Sequence, residues 1–388
     1  MKIKWPTRKI VEVCDLQRGS EPGARTYNDK GEGIRFIRVA DISKHRTSPI
    51  WTTGKNLVIC KKDDILMTFD GSPGVVFRGI EGAISSGMRI VKPKNNKELL
   101  DDFLFYVLQT ELVQNTIKKY TIGVSILHAS KSIPHIEIPL PPIKIQKQIV
   151  ARIEELFEKI DKAKELRKKS LEETSQIFPS ALQEIFSKAE KKWGLIKLSK
   201  ICEKVRQTHP KEIFESEFEY IDITSIDSIL KSITKTKKIP VEYAPHRARK
   251  PIKEGDTIFA TTRPYLKNIA YVSKKFDNCI ASTGFCVIRP KKELVIPLYI
   301  FYIVSSDSFI SQVLPFQRGA SYPAVSDSNI CNCRIPLPHL SEQKRIVAYL
   351  NNLREKVEKL KQLQQKQLGE LTELKQSILN KAFKGELK

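Results

Sequence analysis

The chain has 388 residues, more than one hydrophobic core usually organises, so two or three domains are expected. Lys+Arg 67 against Asp+Glu 44 leaves a formal charge of +23, while 40% hydrophobic and 29% charged residues exclude a disordered basic tail. By charge, the expected partner is a polyanion. The longest apolar run, 294–304, contains Pro297 and is about half of the ~20 residues that a membrane span needs. Residues 1–6 are basic but lack the apolar stretch of a signal peptide, so a cytoplasmic protein with no membrane partner is expected. The seven cysteines sit mostly in apolar stretches and read as reduced core thiols. Cys331 and Cys333 with His339 are a weak hint of metal, and no metal site is expected.

In chain order, Trp5 and Pro6 lead into short runs punctuated by Gly, Pro and Ser, such as Ile65-Leu66-Met67-Thr68-Phe69, which read as strands. A helix is predicted near 101–120, followed by a Pro-rich boundary, Ile138-Pro139-Leu140-Pro141-Pro142. Beyond it Ile149, Ile153, Leu156, Ile160, Ala163 and Leu166 step by three and four, followed by Leu171 and Ile177 at wider steps, a heptad-like seam that Pro179 should kink. Then the pattern starts again. Trp193…Cys202 matches Trp5…Cys14, 219–226 matches 35–42, 279–290 matches 82–93, and 299–304 matches 103–108. Gly319-Ala320-Ser321 matches Gly123-Val124-Ser125, and Ile335-Pro336-Leu337-Pro338…Gln343-Lys344-Arg345-Ile346-Val347 matches Ile138-Pro139-Leu140-Pro141…Gln146-Lys147-Gln148-Ile149-Val150. Insertions and deletions fall in the middle of each copy, where loops vary. The second seam runs Ile346, Leu350, Leu353, Val357, Leu360, Leu371, Leu374 and Ile378, with Gln364 and Gln367 interrupting its register.

The predicted architecture is α+β, two tandem repeats, each a globule followed by a long helix. The segments are 1–142, 143–190, 191–339 and 340–388. The two helices are expected to pair as an antiparallel coiled coil with pseudo-twofold symmetry, a ruler of roughly 60 Å at about 40 residues.

Catalytic motifs are missing. Gly82…Gly87 has the glycine spacing of a phosphate loop but places Met88-Arg89 where Lys-Ser/Thr is required, so a turn is the better reading. There is no H-E-x-x-H, no strand followed by G-x-G-x-x-G, and no Asn/Asp-Pro-Pro-aromatic tetrapeptide to hold a flipped base. The six histidines, His45, His128, His135, His209, His246 and His339, show no relay or metal spacing. No catalytic residue is expected.

Polar residues gather in loops. Thr261, Thr262, Arg263, Tyr265, Lys267 and Asn268 combine a guanidinium, an amide, an ammonium and an aromatic ring, a set suited to base readout with phosphate anchoring. The equivalent loop of the first copy, with Thr68, Asp70 and Ser72, differs chemically. A second loop pair holds Ser125, His128 and Lys131 in one copy and Arg318, Ser321 and Tyr322 in the other. Like frameworks with unlike loops suit two readers of two different sequences.

The tandem arrangement, the doubled Ile-Pro-Leu-Pro…Gln-Lys signature, Thr262-Arg263-Pro264-Tyr265-Leu266 and the ending Gln376-Ser377-Ile378-Leu379-Asn380-Lys381-Ala382-Phe383 resemble the DNA-specificity (S) subunit of type I restriction-modification systems. The resemblance covers essentially the whole chain. It implies a non-catalytic subunit that binds double-stranded DNA, one target-recognition domain per half of a bipartite site. It further implies paired helices that set the spacing and dock two methyltransferase (M) subunits, together with restriction (R) subunits. S-adenosylmethionine, ATP and Mg would then sit on the partner subunits and no cofactor on this chain. The alternative reading is a coiled-coil scaffold whose globules bind protein; a self-sufficient nuclease or methyltransferase is disfavoured by the missing motifs.

Overall fold

The structure, a computed structural model, describes residues 5–43 and 48–387. His45 and the basic start of the chain, both read above, lie outside the described residues. The chain divides into two compact units, Met1–Lys168 with Lys366–Lys388, and Lys169–Gln365. Each takes one part of the first long helix, Ile143–Lys192, and one part of the second, Leu340–Lys384.

Both units are α+β and share one topology. In the first, an antiparallel sheet has the order Cys14–Arg18, Met88–Pro93, Ile65–Thr68, Val76–Phe77. In the second the order is Cys202–Glu203, Phe285–Pro290, Thr257–Ala260, Ile269–Tyr271. A further sheet centres on a parallel pair, Ile34–Ile37 with Gly82–Ile84, or Glu217–Ile221 with Ile280–Ser282. The copies diverge mid-globule, where the first adds the strand Tyr27–Asn28 and the second a hairpin, Ile226–Asp227 with Ser232–Ile233. A two-stranded ribbon, Thr7–Lys9 with Glu137–Pro139, or Leu195–Lys197 with Arg334–Pro336, ties the start of each globule to its Pro-rich exit.

The continuous apolar runs have a simple cause. Alternate side chains of a strand face opposite sides, and here both sides are core. Ile65 and Met67 enter one buried cluster while Leu66 enters another; Phe259 and Ile258 divide in the same way.

The single helix predicted near 101–120 is two, Asp101–Val107 and Glu111–Lys119, matched by Pro297–Val304 and Asp307–Val313. Thr110 and Ser306 occupy the N-cap positions. The Ser306 hydroxyl accepts from Phe309 N at 3.3 Å, whereas in the first unit Asn380 Oδ1, from the second long helix, accepts from Glu111 N at 3.0 Å.

In each unit the helix segments run antiparallel. In the second, Gln364 Nε2 reaches Ser170 and Thr174 at 2.9 and 3.1 Å, while Ile346 and Leu350 share a core with Leu182 and Phe186. In the first, Lys375 pairs with Asp161 at 2.5 Å and lies over the Phe157 ring, and Phe383 packs on Phe103. The first long helix continues through Pro179 as one element, Ile143–Lys192.

Of the predicted seam, Ile153, Ile160, Ile346, Leu350, Val357 and Ile378 are buried, and Ile149, Leu156, Leu353 and Leu371 are half-buried. Leu166, Ile177, Leu360 and Leu374 are exposed and do not belong to it. The inward row of the second helix steps by sevens through Leu350, Val357, Gln364, Leu371 and Ile378. The other row, Leu353, Leu360, Gln367 and Leu374, is half-buried or exposed.

One side chain joins each long helix to its globule. Gln146 Nε2 donates to Glu98 O and Pro141 O at 2.7 and 2.9 Å, and its Oε1 accepts from Leu100 N at 3.0 Å. Gln343 repeats this with Leu294 O, Pro338 O and Ile296 N at 3.2, 2.9 and 2.8 Å. Both are fully buried. Replacing either by Leu orphans one buried carbonyl, at about 1–3 kcal/mol, and two part-buried backbone groups at less. Gln146→Leu and Gln343→Leu are expected to lower the urea midpoint markedly, whereas the exposed Leu360→Gln leaves it nearly unchanged.

Candidate nucleic-acid interface

In each unit the sheet ends in loops that are bonded together in the same way. In the first, Ile122 and His128 exchange backbone bonds at 2.9 and 2.8 Å, Gly71 N donates to Leu127 O at 2.8 Å, and Ala129 N donates to Phe69 O at 2.7 Å. In the second, Arg318 and Ala324 exchange bonds at 3.0 and 2.9 Å, Arg263 N donates to Pro323 O at 2.7 Å, and Val325 N donates to Thr261 O at 3.0 Å. A third turn joins them, with Phe69 N on Gly87 O and Thr261 N on Gly284 O, both at 2.8 Å. Gly123 is required here: its φ is +109°, and a Cβ would stand 2.1 Å from Ile126 O.

Onto this common frame each copy places different side chains. In the first unit the loops border an open cleft of about 770 Å³. Asp70 Oδ1 lies 2.8 Å from His128 Nδ1, and Lys131 is exposed on the rim. Ser72 is half-buried and Ser125 exposed. The loop tip carries exposed Ile122, Ile126 and Leu127 with a fully exposed Val124, an apolar feature that the search for polar groups missed.

The same search missed most of the cleft. Arg18, Arg38 and Arg89 converge on it from separate strands and turns, with the Tyr27 and Phe36 rings 4.8 Å apart at a 30° tilt and Glu21 accepting from the Tyr27 hydroxyl at 2.9 Å. Burial, followed by the Glu21 contact, pushes the Tyr27 phenol up to about 12. Arg89, 7% exposed, donates to Ser86 O, Met88 O and Ser130 Oγ at 2.9, 3.0 and 3.2 Å, and burial lowers its pKa. The only signal for this group was the near-miss phosphate loop 82–89, whose turn lines the cleft. Arg18 and Arg38 have no local signal, because tertiary pairing alone brings their strands together.

In the second unit Arg263 adopts φ +49°. Its Nη2 donates to Ser321 O at 3.2 Å, its guanidinium lies 4.9 Å over the Tyr322 ring, and its Nε is buried without a partner. Arg263 thus holds the facing loop instead of standing free for a base edge. Tyr265, Arg318, Ser321 and Tyr322 are exposed, with Tyr322 at 71%. Lys267 pairs with Asp307; Thr262 and Asn268 are half-buried.

Two expected contacts are corrected. Thr68 Oγ1 donates to Ser72 O and accepts from Val75 N at 2.9 Å; Thr261 Oγ1 donates to Gly284 O at 3.0 Å. Both are buried and brace their turns, because the end of a strand enclosed on both faces points into the core. The seven cysteines are free thiols; burial pushes Cys14 and Cys202 up to about 12. Among the described residues no group of three or more His, Cys, Asp or Glu could hold a metal, and no helix is long and apolar enough to cross a membrane.

The sequence pattern of the type I restriction modification DNA specificity domain matches twice, at residues 2–173 and 190–368. The chain is 27% identical to the type I restriction enzyme MjaVIII specificity subunit of Methanocaldococcus jannaschii, over 99% of this chain and 93% of that one. It is 21% identical to the EcoBI specificity subunit of Escherichia coli, over 99% and 86%. Its fold resembles a chain solved in work on complex assembly and conformational transition of the type I R-M system, with TM-score 0.71 and 20% identity over 100% of both chains. It also resembles the HsdS subunit from Thermoanaerobacter tengcongensis, with TM-score 0.58 and 22% identity over 100% of this chain and 99% of that one. With the loop frame built twice and the family pattern matched twice, the chain belongs to the type I restriction-modification DNA-specificity family, as a specificity subunit with two tandem target-recognition domains.

Proposed function

We propose that each unit reads one half of a bipartite site in double-stranded DNA through its bonded loop pair, and that the long helices set the spacer and dock two methyltransferase subunits. The observation that carries this is the repeated loop frame with unlike side chains. Asp70, His128 and Lys131 beside an arginine-rich cleft in one copy answer to Arg263, Arg318 and Tyr322 in the other. Phosphates accept from Lys and Arg, while base edges are told apart by donors, acceptors and thymine methyl contacts, for which the apolar 122–127 tip is suited. In this reading the chain is a non-catalytic cytoplasmic subunit. Methyl transfer, and R-subunit cleavage where R subunits join, belong to partners that bring S-adenosylmethionine, ATP and Mg.

Mapping methylated adenines in a host carrying this chain and its cognate M subunit should reveal one two-part sequence with a constant gap; methylation at scattered sites would sink the reading. Methylation by the purified chain alone would overturn the non-catalytic assignment.

The unit boundary falls inside both long helices, at 168/169 and 365/366. Inserting about four residues at each point adds roughly 6 Å of helix. The gap between half-sites is expected to change while both half-sites stay the same.

Because Arg263 holds the 317–325 loop, Arg263→Ala should weaken binding to the second half-site by about 1–3 kcal/mol and relax preference there, leaving the first untouched. Lys131→Ala should weaken all sequences alike and reduce the log–log salt slope by about 1. Equal losses on specific and non-specific DNA from Arg263→Ala would make it a mere anchor.

A further inference from the structure

The two copies also diverge against the helix pair. In the second unit a cavity of about 280 Å³ lies between the 229–231 loop, the turn at 305–307 and the helix pair. Its walls include Phe178, Leu182, Phe301 and Val357, and Lys231, Lys267 and Arg354 also line it. In the first unit the repeat puts Phe157 at the position of Arg354 and Gln109 at that of Ser305. There Phe157 packs edge-on against Tyr106, with ring centroids 5.9 Å apart. One copy has a ring pair, buried Tyr106 with half-buried Phe157, where the other has a hollow with cations.

The charges around the hollow are unbalanced. Lys267 pairs with Asp307, and Lys361 with Glu358 at 3.6 Å. Among the described residues, Lys231 and Arg354 have no carboxylate partner. Lys231 Nζ donates to Lys267 O at 3.3 Å, and Arg354 Nη2 donates to Leu230 O at 2.5 Å. The first long helix adds no charged side chain to the lining. Ser305, 4% exposed, also lines the cavity, and its hydroxyl has no hydrogen-bond partner. Lys231 and Lys267 both adopt positive φ, +50° and +51°, a conformation costly for Lys that surrounding contacts must enforce. Burial, followed by the nearby Lys267 and Arg354 charges, brings the Lys231 ammonium down to about 8. An anion would reverse that destabilisation.

We propose that this cavity is a phosphate-group site, with Lys231, Arg354 and Ser305 as its donors. A compact ammonium, a planar guanidinium and a hydroxyl put several donors on the lining of one cavity, a set that suits a multiply charged tetrahedral oxyanion better than a single carboxylate. The group comes either from the backbone of bound duplex, which rests on the DNA reading above, or from a free phosphate ion, which does not.

The test titrates inorganic phosphate into the full-length chain by calorimetry at constant ionic strength, and separately measures the salt dependence of duplex binding. Lys231→Asn removes the charge while keeping a residue that tolerates positive φ, and unchanged melting in phosphate-free buffer checks the fold. For the free-ion source, phosphate binds saturably, Lys231→Asn and Arg354→Gln each weaken it about tenfold or more, and Lys231→Arg restores it. That binding fades as pH rises through about 8, where Lys231 loses its proton. For the duplex source, phosphate alone does not bind, but Lys231→Asn lowers the salt slope by about 1. Phosphate binding indifferent to the variants, or no phosphate binding with an unchanged slope, overturns the proposal. Sequence-selective binding by the unaltered chain reports separately on the DNA reading.

Discussion

Each unit depends on a glutamine amide buried where the Pro-rich exit of the globule becomes a long helix. Proline carries no N–H, so the backbone around Pro141-Pro142 and Pro338 cannot close a regular bonding pattern there. A neutral planar amide supplies both donors and an acceptor. Gln146 and Gln343 use theirs on two carbonyls and one N–H, and the N–H belongs to the N-cap residue of the helix Asp101–Val107 or Pro297–Val304. The start of the long helix and the start of the short one are therefore held by a single side chain. A charged residue there would be buried without a counter-ion, and an apolar one would leave three polar groups unmet.

With that joint fixed, the sheet can be closed on both faces and its outer loops are free to vary. The pairing of Phe69 N with Gly87 O and of Thr261 N with Gly284 O is made by backbone groups, braced by the buried hydroxyls of Thr68 and Thr261, so it places little demand on the exposed side chains. This separates folding from recognition within one unit, and the two copies use the freedom differently. Arg89 brings a buried guanidinium to the end of the strand Met88–Pro93; at the matching place stands Cys286, and the buried cation is instead Lys250, from another sheet, donating to Phe285 O at 2.6 Å and paired with Asp327. The repeat thus keeps a positive charge near the turn without keeping the residue that carries it.

Much of the frame was legible in the linear text because backbone geometry writes it there. Proline-rich boundaries, alternating strands and matched glycines survive in both copies, since the turns and ribbons that they form tolerate few substitutes. The loops at 68–74, 121–131, 261–268 and 317–325 were singled out in the sequence as equivalents across the copies, but that they meet in pairs within each unit, and how individual residues are used, was not readable. Thr68 and Thr261 looked like surface hydroxyls until the strand ends proved to be enclosed. Arg263 looked free until Ser321 and Tyr322 were found beneath its guanidinium. The helix seam was read with an interruption at Gln364 and Gln367; in the structure Gln364 stays inward and is met by Ser170 and Thr174, while Leu360 and Leu374 turn outward.

By itself, the sequence determined the doubled unit, its α+β character and the two long helices, because each follows from periodicity, composition and repetition along the chain; the family came from the likeness of its motifs. Only the tertiary structure decided which cations gather. Arg18, Arg38 and Arg89 meet across one cleft, and Lys231, Lys267 and Arg354 around one cavity, although each trio comes from segments far apart in sequence. Charge acts through space and depends on separation and burial, and neither quantity is written in the order of residues.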